Sequence, residues 1–267
     1  MEAPLVTVVV PAYKEAARLP AMLSDVVASD LQPVVARVEW IVIDDGSPAE
    51  QVERERAAVE EASRAFAAAH APHRIAFHQA PRNRGKAAAI RLGWSLADPQ
   101  TTWLAFIDAD GAVPGREFWR LAQLAGREPG LDVLAGSRVA MAGRDIGRKL
   151  SRHLQGRIFA TIAERLLHLG FYDTQCGLKL FRASSLRPVL PLLNEERWLL
   201  DLEILAYMKA RGATMREEPI DWHEPGGSKM IPGVDAARMA WGILRLRNRM
   251  RSFPASESAA GRERAAR

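Results

Sequence analysis

The chain has 267 residues, of which 48% are hydrophobic and 26% charged, the composition of a soluble globular protein with one large α/β domain or two small ones. Its formal net charge of +5 favours an acidic partner, such as a nucleotide, a phosphorylated acceptor or an anionic membrane surface. Cys176 is the only cysteine, and the sequence shows neither a signal peptide nor a membrane-spanning run, so we expect a cytoplasmic protein without disulfides.

The first half of the chain alternates between short apolar strands and longer helices. We predict strands at 6–10, 39–43, 75–78 and 103–107, and helices at 19–27, 48–69 and 86–97. Continuous β-branched runs such as 6–10 are typical of strands buried on both faces of a parallel sheet. The alternation therefore predicts an α/β fold with a right-handed, doubly wound, mainly parallel sheet.

The second half is less regular. We predict strands at 133–135, around Phe181 and at 215–222, and helices at 199–209 and 237–250. After Arg138 an apolar stripe at spacing four, from Ile146 to Leu166, predicts one long helical segment. The segment from about residue 252 has almost nothing to bury and is expected to be disordered. We find no internal repeat and no domain boundary, so we predict a single domain over 1–251.

Three polar motifs directly follow predicted strands, at 11–15, 44–47 and 108–110. They should meet in one crevice, because ligands of such sheets bind at the carboxyl ends of the strands. Asp108 and Asp110, followed by Gly111, offer the hard oxygen ligands that suit Mg²⁺ or Mn²⁺ shared with phosphate. On local grounds alone, a solvated turn is the more common explanation of such aspartates, and a helix N-cap at Ser47 explains 44–47 equally well.

The motifs together resemble a known enzyme family. Four segments resemble the motifs of family-2 glycosyltransferases in order and spacing: VVVPAYKE at 8–15, DDGS at 44–47, NRGK at 83–86 and DAD at 108–110. Further segments resemble the dolichyl-phosphate β-glucosyltransferase subgroup: GSR at 136–138, DTQCGLKLF at 173–181, RW at 197–198, and WHE at 222–224 with GSK at 227–229. The resemblance covers about residues 5–250.

This resemblance implies a GT-A fold with a nucleotide-binding half at about 1–131, an acceptor half of helices and strands at about 132–251, and a tail at 252–267. It implies an inverting, metal-dependent transfer of a hexose, with glucose as first choice, from a UDP-sugar to a polyprenyl phosphate. The implied nucleotide-sugar-binding residues are Pro11, Tyr13, Glu15, Asp45, Lys86, Asp108, Ala109 and Lys229. The implied metal ligands for Mg²⁺ or Mn²⁺ are Asp110 and His223, and the implied catalytic residues are Arg138, Asp173 and Asp201.

The role of the acceptor-side carboxylates depends on the acceptor. A hydroxyl acceptor needs a general base, whereas a phosphate is already anionic and needs little help. Asp173 would therefore orient a phosphate acceptor but deprotonate a hydroxyl. Asp201 and Glu203 are two residues apart on a predicted helix and cannot share a face, so we expect Asp201 at the site and Glu203 solvated or paired with Arg197. Arg138 suits a phosphate, with a surface salt bridge as the alternative.

Two alternatives to the lipid-phosphate reaction remain open at this stage. One is a soluble transferase acting on a saccharide or small-molecule hydroxyl, and the other is a non-catalytic nucleotide-sugar sensor. Basic amphipathic segments at 144–157 and 238–251 fit either peripheral contact with the cytoplasmic face of an anionic membrane or packing against the core. Nucleic acid is not an expected partner, because the arginines lie beside acidic strand-end motifs that would repel phosphate without a metal.

Overall fold

The computed structural model describes residues 5–30, 37–139, 141, 143–147, 160–224 and 234–253, with the backbone alone at 234–238. The strands are β1 (Leu5–Ala12), β2 (Arg37–Asp44), β3 (Arg74–Gln79), β4 (Trp103–Ile107), β5 (Val133–Ser137), β6 (Ile146–Gly147), β7 (Leu178–Arg182), β8 (Met215–Pro219) and β9 (Trp222–His223). The helices are α1 (Leu19–Ala28), α2 (Ala49–Ala68), α3 (Lys86–Ser95), α4 (Gly115–Arg127), α5 (160–167), α6 (Ala183–Leu186), α7 (Leu200–Ala210) and α8 (Val234–Arg251), with a 3₁₀ turn at Leu190–Leu192.

A seven-stranded sheet in the order β3-β2-β1-β4-β7-β5-β8 forms the middle of the fold. Strands β3, β2, β1 and β4 are mutually parallel, β5 and β8 are parallel, and β7 runs antiparallel to both of its neighbours. The prediction of a mainly parallel α/β sheet is confirmed, with β7 as the exception. Strands β6 and β9 pair separately. The carboxyl ends of β1, β2 and β4 lie at one edge, as the motifs required.

Helices cover both faces of the sheet, which explains why β1 is almost entirely buried and, apart from Thr7, apolar. One core cluster joins the sheet to α1, α2 and α4, and a second joins it to α3, α7 and α8. Val8 and Val9, consecutive on β1, belong to different clusters because successive side chains of a strand point to opposite faces. No helix within the described residues is both long and apolar enough to cross a bilayer.

Helix α4 was not predicted. It buries Phe118, Trp119 and Leu121 against the sheet and α1, and the Trp119 indole donates to the Val26 carbonyl at 2.9 Å. Gly115 begins the helix where it meets α1, and a Cβ there would lie 2.7 Å from the Val26 backbone. The apolar spacing of three to four over 118–125 carried the signal.

Three other predictions need correction. Pro11 does not end β1, which continues to Ala12 with Pro11 opposite Ile43. The predicted strand 215–222 is two strands, because the chain leaves β5 after Pro219 and pairs with β6 at Trp222. The long helix predicted after Arg138 is wrong at 146–147, which form β6, and correct at 160–167. Residues 148–159 and 254–267, including most of the predicted basic segment and tail, lie outside the described residues.

Candidate active site

The end of β2 anchors the loop that leads into α3. Both oxygens of the Asp45 carboxylate accept backbone N–H groups, from Arg84 at 2.9 Å and from Gly85 at 2.7 Å. Gly85 has a φ of +107°, and a Cβ there would lie 2.5 Å from the Glu196 carbonyl oxygen, so the position requires glycine. Burial raises the pKa of Asp45, although the two N–H groups oppose this. Asp45 keeps spare lone pairs for a ligand, because each carboxylate oxygen accepts more than one hydrogen bond.

The loop after β1 is held from two sides. The Lys14 N–H donates to the Ser47 hydroxyl at 2.8 Å, and the Glu15 N–H donates to Glu55 Oε1 at 2.7 Å. Lys14 has a φ of 55°, a left-handed conformation that is uncommon for a side-chain-bearing residue and recurs at binding sites. The predicted helix N-cap at Ser47 is wrong: Pro48 occupies that position, and Ser47 fastens the β1 loop instead.

Of the residues on this loop that are predicted to bind the nucleoside, Glu15 already contacts another side chain of the protein. The Glu15 carboxylate is buried and pairs with Arg18, with 2.7 Å between Nε and Oε2. Pro11 and Tyr13 are half-buried at the mouth of the loop. Glu15 therefore shapes the loop, while Pro11 and Tyr13 stay predicted ligand contacts.

The end of β4 brings Asp108 and Asp110 next to a lysine. Lys86 Nζ lies 2.5 Å from Asp108 Oδ1, and Asp110 Oδ1 accepts the Ala112 N–H at 3.0 Å, with Ala109 buried between the two aspartates. Burial and the Asp108 charge raise the pKa of Asp110. Burial alone would lower the pKa of Lys86, but Asp108 and Asp201 outweigh it and raise the pKa. Lys86 therefore stays cationic beside the aspartate pair.

The backbone segments that carry the predicted metal ligands, Asp110 and His223, lie side by side, but the two side chains alone do not complete a coordination shell. The His223 N–H donates to the Ala112 carbonyl at 2.9 Å, so β9 runs beside the Asp110 turn. The His223 imidazole is half-exposed, with Nε2 3.9 Å from Asp145 Oδ2. Among the described residues no three His, Cys, Asp or Glu side chains are grouped to hold a metal. Asp108 and Asp110 offer the carboxylate oxygens that suit a cation such as Mg²⁺, which usually keeps several waters and shares substrate phosphates. Lys229 lies outside the described residues.

On the predicted acceptor side, Arg138 and Asp173 form a mostly buried ion pair with two contacts between the charged groups. Arg138 Nε lies 2.6 Å from Asp173 Oδ2, its Nη2 lies 2.8 Å from Oδ1, and its backbone N–H also donates to Oδ2 at 3.0 Å. Burial alone would raise the pKa of Asp173, but the guanidinium outweighs it and holds the pKa well below its usual range. The alternative of a salt bridge for Arg138 agrees with this pair, which is mostly buried rather than exposed on the surface.

Asp201 lies in a second buried pair. Its Oδ1 is 2.9 Å from Nζ of Lys179, which is fully buried and also donates to the Cys176 carbonyl at 2.6 Å. Lys179 was not singled out from the sequence, although a lysine inside the apolar run LKLF of β7 was a signal. Burial raises the pKa of Cys176 to about 11, which makes its thiol a packing group rather than a nucleophile.

The predicted environment of Glu203 is wrong. Glu203 is fully buried, accepts the N–H groups of Asn194 and Glu195, and pairs with Arg249 of α8 rather than with Arg197 or solvent. Residues two apart on a helix point to different sides, so Asp201 points toward Lys179 and Glu203 toward the loop before α7. Glu203 is therefore a structural carboxylate that ties α7 to α8.

Comparisons with known proteins agree with this architecture. Residues 7–190 match the model of Glycosyl transferase family 2. A dolichyl-phosphate beta-glucosyltransferase of Dictyostelium discoideum is 30% identical over 251 residues, 91% of this chain and 74% of that protein. The enzyme of the same name from Drosophila melanogaster is 31% identical over 85% of this chain and 69% of that protein.

The solved structures share the fold at lower identity. Glucosyl-3-phosphoglycerate synthase from Mycobacterium tuberculosis, in complex with uridine-diphosphate, superposes with a TM-score of 0.64 at 16% identity, covering 94% of this chain and 81% of that one. The same synthase with Mn²⁺, uridine-diphosphate and glucosyl-3-phosphoglycerate gives a TM-score of 0.64 at 15% identity and the same coverage. The predicted GT-A fold is confirmed, and the chain belongs to glycosyl transferase family 2, as an enzyme of the glycosyltransferase class.

Proposed function

We propose that this glycosyltransferase transfers a hexose, with glucose as first choice, from a UDP-sugar to a polyprenyl phosphate with inversion at the anomeric carbon. The observation that carries the acceptor is the Arg138–Asp173 pair. Its geometry keeps Asp173 deprotonated and engaged on both oxygens, which makes this carboxylate a weak base. An acceptor that is already anionic needs no base, so a phosphate suits this site better than a hydroxyl does. The relatives named dolichyl-phosphate beta-glucosyltransferases support the same acceptor.

The donor would bind along the ends of β1, β2 and β4. Pro11, Tyr13 and Asp45 would hold the nucleoside, with Glu15 shaping their loop. Asp108 and Ala109 would lie against the ribose or sugar, and Lys86 near the diphosphate, where its cation balances Asp108. Lys229 is assigned to the diphosphate from the motif alone.

Asp110, with His223 beside its turn, would hold Mg²⁺ or Mn²⁺ jointly with the diphosphate. The cation would neutralise charge on the leaving group. Two carboxylates side by side, with the Asp110 pKa raised by burial and by Asp108, are the surroundings that a divalent cation relieves. The related synthase has been solved with uridine-diphosphate and either Mn²⁺ or Mg²⁺, which supports this choice of metals.

Helix α8 supports a peripheral approach to a lipid acceptor. Ile243 and Leu246 pack on the core, while Trp241 is 64% exposed and Leu244 is 41% exposed on the other side. Arg245 lies one turn from Trp241, and each cation near an anionic leaflet adds about 1 kcal/mol of attraction. Helix α8 therefore packs one face against the core and exposes both apolar and basic side chains on the other.

The test is release of UDP from a panel of UDP-sugars and GDP-mannose, with and without a short-chain polyprenyl phosphate and Mg²⁺ or Mn²⁺. Turnover should require both the metal and the lipid phosphate, and Asp110→Asn should lower it on the order of a thousandfold, equivalent to several kcal/mol of lost charge stabilisation. Glu53→Gln, an exposed carboxylate on α2, is the control and should leave turnover unchanged. Turnover on saccharide hydroxyls alone would overturn the acceptor, and binding without turnover on any acceptor would identify a sensor.

A further inference from the structure

Three carboxyl groups are buried together beneath the proposed nucleotide pocket. Asp44 ends β2, Glu15 follows β1, and Glu55 lies on the second turn of α2. Asp44 and Glu55 are fully buried, and Glu15 is nearly so. A buried carboxylate is expensive unless it is paired or protonated, so such a cluster requires an explanation.

The hydrogen bonds around the cluster decide which group carries a proton. The Asp44 carboxylate accepts N–H groups from Gly46 at 3.2 Å and from Ser47 at 3.1 Å, which stabilises its charged form. Glu55 Oε1 accepts the Glu15 N–H, whereas its Oε2 is buried and meets no donor among the described residues. The neighbouring polar group of Glu55 is Asp44 itself, within side-chain hydrogen-bonding reach. Two charged carboxylates repel, but a protonated Glu55 would donate to Asp44.

The surrounding charges favour the neutral form of Glu55. Burial has the largest effect and raises the pKa of Glu55. The Glu15 N–H lowers it and Asp44 raises it again, and the net result is a pKa of about 7. The charge of the Glu15 carboxylate also raises the pKa of Glu55, and Arg18 balances Glu15 through its own ion pair. Glu55 thus keeps its proton at mildly acidic pH and is about half protonated at pH 7, where a carboxyl group of ordinary pKa would be fully charged.

We propose that Glu55 is a positioning residue for nucleotide binding, which keeps a proton and donates it to Asp44 in a hydrogen bond that joins α2 to the loops after β1 and β2. This inference rests on the proposed function, because those loops carry Pro11, Tyr13 and Asp45. Loss of the proton leaves two charged carboxylates facing each other beneath both loops. The pocket then loosens from below, without any change in the residues that contact the nucleotide.

The proton is tested first without any ligand. Glu55→Gln keeps the shape of the side chain, accepts the Glu15 N–H and donates to Asp44 at every pH. The folded-state pKa of Glu55 is raised above its ordinary value of 4.5, so its stabilising contribution is full below about pH 4.5 and is lost as pH rises through about 7. Relative to Glu55→Gln, the wild-type ratio of folded to unfolded protein should therefore fall on the order of a hundredfold between about pH 5 and pH 8.

Denaturant unfolding across this pH range measures the effect, with Glu53→Gln, an exposed neighbour on α2, as the matched control. Parallel pH curves for wild type and Glu55→Gln would overturn the proposal. Should Glu55→Gln fail to fold, infrared spectroscopy of the wild-type protein decides the same point. A protonated carboxylic acid band at neutral pH that disappears as the pH rises past 7 supports the proposal, and its absence overturns it.

The positioning role is tested by calorimetric titration with UDP and Mg²⁺. The ratio of the wild-type Kd to the Glu55→Gln Kd removes the titration of UDP and metal, which both proteins share. The ratio should be near one at pH 6 and rise about tenfold by pH 8.5, whereas a constant ratio would overturn the positioning role. Absence of UDP binding by both proteins would overturn that role together with the proposed donor, while the ligand-free curves would still decide whether Glu55 holds its proton.

Discussion

The two halves of the site are built in different ways. On the donor side, side chains at the ends of β1, β2 and β4 hold neighbouring backbone, as Asp45 holds the N–H groups of Arg84 and Gly85. On the acceptor side, buried ion pairs join residues from distant segments, as in Arg138–Asp173 and Lys179–Asp201. The proposed donor side therefore combines backbone anchoring with one ion pair, Lys86–Asp108, whereas the proposed acceptor side relies mainly on buried ion pairs.

The largest effect should come from breaking charge balance on the acceptor side. Lys179→Met leaves Asp201 buried without its cation, which should lower the free energy of unfolding by about 4 kcal/mol. The double variant Lys179→Met/Asp201→Leu removes both charges and should recover most of that loss. Urea unfolding of wild type, the single variant and the double variant measures the coupling. Equal free energies of unfolding for the single and double variants would mean that the loss does not come from an uncompensated Asp201 charge.

A smaller effect should follow from crowding the Asp108 carboxylate on the proposed donor side. Gly177 packs against the Asp108 carboxylate so closely that a Cβ would collide with it, and the Asp108 N–H donates to the Gly177 carbonyl at 2.9 Å. Gly177→Ala should displace Asp108 by about an ångström and lower kcat/KM about a hundredfold, with little loss of stability. Gly130→Ala, where the added methyl meets nothing within 4 Å, is the matched control for steady-state kinetics. Unchanged kinetics for Gly177→Ala would show that the position of Asp108 does not limit the reaction.

The two halves should also differ in the sign of their pH dependence. The pKa of Asp173 is held below its ordinary value, so its contribution is present above about pH 4 and is lost as the pH falls through the folded-state value. Asp173→Asn should therefore remove about 2 kcal/mol of the acid sensitivity of unfolding below pH 4. Glu55 acts in the opposite direction, between about pH 5 and pH 8. Unfolding curves for Asp173→Asn and Glu55→Gln, measured from pH 2 to pH 9, separate the two contributions. An acid limb unchanged by Asp173→Asn would contradict the assignment.

The same contrast explains what the sequence could predict. Strand β4 was predicted at its observed bounds, and the turn at Asp108 and Asp110 with it, because a buried parallel strand and its terminal motif are both local signals. Glu55 looked like one of many solvated charges on α2, since its partner Glu15 lies 40 residues away. Lys179 and Glu203 were missed or misplaced for the same reason. The antiparallel direction of β7 likewise depends on pairing with β4 and β5, which no local pattern records.

The smallest effect on stability should come from the exposed face of α8, where neither backbone geometry nor buried charge is at stake. Arg245→Ser and Trp241→Ser should each change the free energy of unfolding by no more than about 0.5 kcal/mol. Association with anionic vesicles should nevertheless weaken about fivefold for Arg245→Ser, the equivalent of 1 kcal/mol per surface cation, and at least as much for Trp241→Ser. Arg54→Ser removes a charge from α2 on the opposite face of the sheet and is the matched control in vesicle sedimentation. Equal losses for Arg245→Ser and Arg54→Ser would mean that net charge, rather than the α8 surface, governs the contact, and the acceptor would then have to reach the site from another side.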